Sequence, residues 1–230
     1  MSSTRLPGKV MADLVGAPMI LRQIERLARC EGIDQIVVAT SDRDDDAPLA
    51  QALEAAGQSV FRGSLEDVLG RFSGALAVYG PADHLVRLTA DCPLADPALI
   101  DATLALHLAR GADYSANTPA KRMFPKGLDI EVMRAPLLRQ AARDADTPYE
   151  REHVTPHFYR HPERFDLAFL TQEADEEDVR WTVDRPDDLA FVRAVYEGLY
   201  ADSPAFTSDD IRAFVTGRPD LRMFGGDRRV

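Results

Sequence analysis

The sequence predicts an α/β fold with a mostly parallel sheet. Short apolar runs alternate with helical stretches of ten or more residues, the pattern of βαβ units. Glycines and prolines stand at the joints, and 230 residues suit one α/β unit with an appendage.

The elements follow in order. A helix is predicted over Pro18–Arg29, with Pro18 in its first turn and Ile20, Ile24 and Leu27 on one face. Ile33–Thr40 contains the run Ile36, Val37, Val38 and reads as a strand buried on both faces, closed off by the acidic loop Asp42–Asp46. Ala47–Ala56 is helical and stops at Gly57. Ser59–Arg62 is a short strand, Leu65–Tyr79 a helix and His84–Thr89 a strand that runs into Ala90-Asp91-Cys92-Pro93. Asp96 caps the next helix, which has Pro97 at its first position and ends near Gly111.

Beyond Lys121 the rhythm changes. Strands are expected at Gly127–Met133, Asp166–Leu170 and Val179–Val183. Helices are expected at Pro136–Ala145, Glu150–Tyr159, Pro186–Tyr200 and Thr207–Thr216, followed by a polar tail. There is neither an internal repeat nor a low-complexity linker, so residues 1–230 read as one domain with a small inserted lobe near residues 120–165.

Composition narrows the function. With 27 Lys and Arg against 38 Asp and Glu, the net charge of −11 disfavours nucleic acid and anionic membrane as partners. Cations gather in small islands instead: Arg5 with Lys9, Arg62 with Arg71, and Lys121, Arg122 and Lys126. That distribution suits a small anionic ligand. No run of about eighteen apolar residues predicts a transmembrane helix, and Met1–Val10 lacks the apolar stretch of a secretory signal. Two cysteines, Cys30 and Cys92, are too few for a disulfide framework and fit a cytoplasmic location.

The opening MSSTRLPGK places Ser3, Arg5 and Lys9 around Pro7-Gly8. It is no P-loop, because Ser3 stands where the motif needs glycine and Val10 where it needs Ser or Thr. Turn amides and two cations can still cradle a polyphosphate; a frayed basic terminus is the alternative. Asp91 and Asp184 each end an expected strand. Were those strands neighbours, the two carboxylates would meet and suit magnesium, although either aspartate could simply cap a turn or helix. Asp129 and Glu131 alternate with apolar residues on one strand face, available to sugar hydroxyls if that face lines the site. Thr40 and Ser41 end a strand and, by position, are base or ribose contacts. His153, His157 and His161 have a spacing that zinc could use, but Pro156 and Pro162 interrupt the helix that would align them.

STRLPGK followed by Gly16-Ala17-Pro18-Met19-Ile20 resembles the signature of cytidylyltransferases that make CMP-activated sugar acids. Gly63-Ser64, Asp67–Phe72, Thr89–Leu94, Lys126–Val132, Glu150–Tyr159 and Trp181–Glu197 resemble the branch named for spore coat polysaccharide biosynthesis. The resemblance covers nearly the whole chain. It implies a Rossmann-like sheet of the glycosyltransferase-A or nucleotidyltransferase type, with the nucleotide at the carboxyl ends of the strands, as in open α/β sheets generally. It further implies magnesium on Asp91 and Asp184, Arg5 and Lys9 on the departing pyrophosphate, and Ser3 and Arg71 near the nucleotide. Lys126, Asp129, Glu131, Glu150 and His153 would lie on the acceptor side. Arg185 departs from the small residue expected after the second aspartate.

The expected reaction is attack of a sugar-acid hydroxyl on the α-phosphate of CTP, releasing pyrophosphate, in a homodimeric enzyme that makes precursors for cell-surface polysaccharide. A sugar-1-phosphate nucleotidyltransferase using another triphosphate, or a relative that kept the fold and lost the chemistry, are the alternatives. In the family, STRLPGK follows a buried apolar strand and an arginine, neither of which stands ahead of Met1. The expectation is therefore a chain that starts late; were the short form the real one, weak nucleotide binding, low stability and unpaired backbone on the strands flanking the missing one would follow.

Overall fold

The computed structural model describes residues 5–230. The chain enters through a tight turn: the Lys9 amide donates to the Leu6 carbonyl at 3.2 Å, and Gly8 takes φ 70° and ψ 11°. Proline then glycine at the two central positions is what a type II turn requires. A 3₁₀ turn over Lys9–Met11 leads into a hairpin of β1 (Asp13–Leu14) and β2 (Ala17–Pro18). Its central residues, Val15 and Gly16, both have positive φ (48° and 79°), as a type I′ turn demands. A β-branched residue is strained there, and Arg22 braces it: Nε donates to the Leu14 carbonyl at 3.1 Å and a terminal nitrogen to the Val15 carbonyl at 2.6 Å.

Helix α1 (Met19–Leu27) buries Ile20 and Ile24 as expected, together with two polar residues, Gln23 and Arg26. Arg26 donates to the Ala95 and Phe206 carbonyls and lies over the Phe206 ring, tying α1 to two distant loops. Strand β3 (Val37–Ser41), helix α2 (Ala47–Ala55) and strand β4 (Ser59–Gly63) make one βαβ unit, with β3 and β4 parallel. Helix α3 (Val68–Tyr79) starts at Asp67, whose carboxylate accepts from the Gly70 amide. Strand β5 (His84–Arg87) precedes α4 (Pro97–Arg110), which is capped by Asp96 and stopped by Gly111 at φ 60°. Asp96 also accepts from the Ser208 amide at 2.7 Å, so one carboxylate anchors two segments.

Strands β6 (Tyr114–Ala116), β7 (Glu131–Arg134) and β8 (Leu167–Phe169) join β5 in the order β5-β7-β6-β8. Strand β7 runs against both neighbours, while the other three share one direction. The strand expected from Gly127 begins only at Glu131, because the buried Asn117 side chain takes the local backbone bonds. Its amide donates to the Leu128 carbonyl at 2.7 Å and its oxygen accepts from the Ile130 amide at 2.8 Å.

Among the described residues no ladder joins β3 to β5, so the parallel pair β3-β4 stands apart from the four-stranded sheet, beside the two short hairpins. Gln23 sits beside this break, donating to the Thr89 carbonyl at 2.9 Å, and its buried Oε1 has no partner among the described residues. Unpaired strand edges and an orphan acceptor each cost stability.

Helices α5 (Ala135–Asp144), α6 (Pro148–His153) and α7 (Pro156–Tyr159) pack with α3 and β6 through Leu69, Leu76, Tyr114, Leu138 and Phe158. One helix was expected over Glu150–Tyr159; instead Val154 breaks it at φ 71° and ψ −57°. The Thr155 amide donates to the His153 carbonyl at 2.8 Å, a γ-turn of the strained hand. Pro156 supplies no amide to continue α6, and full burial of Val154 holds the turn in place.

His107 of α4 is 1% exposed and bonds Ser115 Oγ at 2.9 Å and His84 Nδ1 at 3.0 Å. Burial, with His84 and Arg134 adding to it, pushes its pKa down from 6.5 to about 4. The unfolded chain therefore takes up this proton first as pH falls. His107 contributes stability that is complete above pH 6.5 and is lost as pH falls towards about 4. Urea denaturation across that window should show the decline, and His107→Gln should flatten it.

The segment expected as the strand Val179–Val183 is extended but forms only a parallel bridge, Lys126 to Arg180. Helices α8 (Pro186–Leu199), α9 (Ser208–Thr216) and α10 (Pro219–Arg222) follow. The polar tail folds back as a hairpin of β9 (Met223–Phe224) and β10 (Asp227–Arg228). Trp181, Val183, Phe191, Val195, Phe206 and Ile211 form the centre of the largest apolar cluster. Both cysteines are free thiols. No helix among the described residues is long and apolar enough to cross a membrane.

Candidate active site

Three backbone bonds bring the two aspartates together. The Val183 amide donates to the Asp91 carbonyl at 2.8 Å, while the Trp181 and Thr182 amides both donate to the Lys126 carbonyl, at 2.7 and 3.0 Å. This crossing requires Gly127: its φ is 112°, and a Cβ there would lie 2.5 Å from the Thr182 nitrogen. Asp91, just past β5, and Asp184, just before α8, then face a common point.

Lys9 occupies that point. Its ammonium donates to Asp91 Oδ2 at 3.0 Å, to Asp184 Oδ1 at 3.0 Å and to the Val183 carbonyl at 2.6 Å. Arg5 pairs with the same Asp184 oxygen at 3.1 Å, and Arg180 donates to the other oxygen at 2.7 Å. Burial pushes the Asp184 carboxyl up, but the bonds from Arg180 and Lys9 outweigh it and hold it below the usual carboxylate range. Asp91 is 27% exposed on its side chain, the more open of the pair.

The donor set fits magnesium. Two hard carboxylate oxygens already share one cation, and magnesium commonly takes one or two carboxylates and completes its shell with water and substrate phosphate. No cluster of three or more His, Cys, Asp or Glu suited to a metal occurs among the described residues.

The remaining predicted residues separate into groups. Ser3 lies outside the described residues. Thr40 and Ser41 are buried and donate their hydroxyls to Asp46, each at 2.7 Å, closing the loop after β3. Arg71 donates to the Ser64 carbonyl at 3.0 Å, and its buried Nε has no partner among the described residues. Lys126 contributes its backbone to the crossing and exposes its side chain. Asp129 forms a two-pronged ion pair with Arg122. Glu150 caps α6 with Thr147 and bonds His157 at 3.3 Å, whereas His153 is exposed with its ring against Tyr149.

Glu131 is bound on three sides: it pairs with Arg87 and accepts from the Tyr114 hydroxyl at 2.7 Å and the Thr155 hydroxyl at 2.5 Å. These bonds stitch β5, β6 and the Val154 turn to β7. Removing it strands a cation and two buried hydroxyls, so Glu131→Ala is expected to cost about 3 kcal/mol in a urea titration.

Sequence reasoning missed Arg180, Asp188 and Arg229. Asp188 is fully buried and accepts from Arg180, Arg185, Arg229 and the amides of Asp184 and Arg185. A spacing of four between Arg180, Asp184 and Asp188 was visible as a signal; nothing local marks Arg229.

A protein-family model described as cytidylyltransferase matches residues 1–208. The chain belongs to the cytidylyltransferase family. It is a nucleotidyltransferase, and its relatives are consistent with this. The spore coat polysaccharide biosynthesis protein SpsF of Bacillus subtilis is 32% identical over 229 residues, covering 96% of this chain and 92% of that protein. A 3-deoxy-manno-octulosonate cytidylyltransferase of Anaeromyxobacter dehalogenans is 32% identical over 165 residues, 66% of each chain. The solved structure of a cytidylyltransferase from Leptospira borgpetersenii superposes with a TM-score of 0.89 at 30% identity, covering 96% of this chain and 92% of that one. The cytidylyltransferase fold places Lys9, Asp91 and Asp184 at the carboxyl end of β5, the edge where open α/β sheets bind ligands.

Proposed function

We propose that this cytidylyltransferase moves CMP from CTP to a sugar acid and releases pyrophosphate, supplying an activated sugar for surface polysaccharide. The observation that carries the reading is the pair Asp91 and Asp184 converging on one point, which the Lys9 ammonium fills, with Arg5 on Asp184 beside it. The names of the relatives supply the substrate class: one is a cytidylyltransferase for a sugar acid, another a polysaccharide biosynthesis protein.

The acceptor hydroxyl attacks the α-phosphorus in line. The new P–O bond forms as the bond to the β-phosphate oxygen breaks; the hydroxyl proton goes to solvent and pyrophosphate leaves. Such a transfer needs positioning and charge stabilisation more than a nucleophilic side chain. Asp91 and Asp184 would hold magnesium, which would supply neutralisation of phosphate charge. In the free protein the Lys9 ammonium keeps the two carboxylates from repelling each other. Its flexible stem, with exposed Arg5, then offers positive charge to the triphosphate and the departing pyrophosphate.

Thermal unfolding with magnesium and each of CTP, GTP, UTP and ATP tests this. A nucleotide present at about a hundred times its dissociation constant stabilises the fold by about 2.7 kcal/mol. CTP should shift the midpoint most, and sugar-acid-dependent pyrophosphate release should follow. A larger shift with GTP or UTP would favour transfer to a sugar 1-phosphate, and no shift with any nucleotide would defeat the proposal.

A further inference from the structure

We infer that Arg229, the penultimate residue, is a positioning residue for Asp184, acting through Asp188 and Arg180; this rests on the reading of Asp91 and Asp184 as the reaction centre. Arg229 is fully buried, and its guanidinium lies 4.7 Å from the centre of the Phe191 ring. One terminal nitrogen donates to Asp188 Oδ1 at 3.0 Å and the other to the Arg180 carbonyl at 2.7 Å. The backbone of the tail adds to the grip: the Arg180 amide donates to the Arg228 carbonyl at 2.9 Å and the Trp181 indole to the Arg229 carbonyl at 2.8 Å.

Arg180 is the link to the site. Its Nε and one terminal nitrogen bracket Asp188 at 3.1 and 3.0 Å, and that terminal nitrogen also donates to Asp184 Oδ2 at 2.7 Å. Asp188 in addition accepts from the Asp184 amide at 3.0 Å, fixing the backbone that carries the carboxylate. The result is that Asp184 turns Oδ1 towards Lys9 and Asp91, with Oδ2 held behind.

Charge balance gives the tail its influence. Arg180, Arg185 and Arg229 face Asp184, Asp188 and Asp227 in one network. Without Arg229, a buried Asp188 oxygen loses a cation, and the remaining attraction draws Arg180 off Asp184. The carboxylate is then free to rotate, and the site loses its preset oxygen. A buried network of this kind is a poor source of stability relative to apolar packing, which suits a role in holding geometry. The family match ends at residue 208, so the relay runs from outside the matched region back into the site.

Manganese binding, read by electron paramagnetic resonance with and without CTP, tests the relay without turnover. Outer residues that orient a metal ligand typically change metal affinity by about 10- to 100-fold. Arg229→Gln should weaken manganese binding by that factor, and Arg229→Lys should restore part of it. Val195→Ala, a cavity in the same core cluster that leaves the network intact, should bind manganese as the unaltered chain does. Should Arg229→Gln not fold, Arg229→Met keeps the stem against Phe191 and carries the same expectation. Binding within threefold of the unaltered chain in the Arg229 variant, or equal weakening by Val195→Ala, overturns the proposal. If the unaltered chain itself binds no manganese, the reaction-centre reading falls with it, so the two failures are distinguished by which protein fails.

Discussion

Asp91→Ala is expected to lower turnover by about a thousandfold while leaving the protein folded. The two effects separate because the residue's structural and chemical parts are different atoms. Its carbonyl receives the Val183 amide and the Thr182 hydroxyl, and a substitution to alanine retains both bonds. The carboxylate meets Lys9, with the Cys92 thiol at the edge of contact at 3.5 Å, and is part-exposed. Its loss costs about 1 kcal/mol of stability at most, since Lys9 keeps Asp184 as a partner. On the proposed reading, by contrast, losing one of the two carboxylates loosens the hold on a cation and its position against phosphate. CTP-dependent pyrophosphate release measures the first effect and a urea titration the second. Turnover within tenfold of the unaltered enzyme would remove Asp91 from the reaction centre.

Trp181→Ala should have the largest effect on stability, about 4 kcal/mol, the range measured when large aromatics are deleted from packed cores. The chain's one tryptophan is fully buried among Val183, Phe191, Val195 and their neighbours, and its indole is bonded to the tail. For a protein of this size, a loss of that order lowers the unfolding midpoint by roughly 10 °C. Trp181→Phe retains most of the volume and forfeits the indole bond, so about 1 to 2 kcal/mol is expected. Equal losses from the two variants would show that the bond to the tail outweighs the packing. The segment around Trp181 also carries Asp184, so nucleotide affinity should weaken in the alanine variant even at temperatures where it remains folded.

Helices with a cap, a proline start and a glycine stop were legible to within two or three residues. Asp96, Pro97 and Gly111 bound α4, and Pro186 opens α8, because each residue acts on its own backbone. Three-residue β6, the break at Val154 and the closing hairpin were not legible. Each is held by partners far away in sequence: β6 by β7 and β8, the turn by Thr155 bonding Glu131, the hairpin by Arg180 and Trp181. The same distinction runs through the site. Arg5, Lys9, Asp91 and Asp184 could be picked out because an ordered set of motifs carries them. Thr40 and Ser41 stand out by position alone and Glu131 by its strand face and motif, and the structure gives all three partners inside the protein.

By itself, then, the sequence determined the alternation of strands and helices, the caps and the family. These depend on φ preferences and hydrogen bonds spanning a few residues, or on motif order along the chain. Only the tertiary structure decided that Lys9 bridges Asp91 and Asp184, residues 82 and 175 positions away, and that Arg229 reaches back to Asp188. Charges that far apart find one another through the packing of the segments between them, which no local pattern encodes.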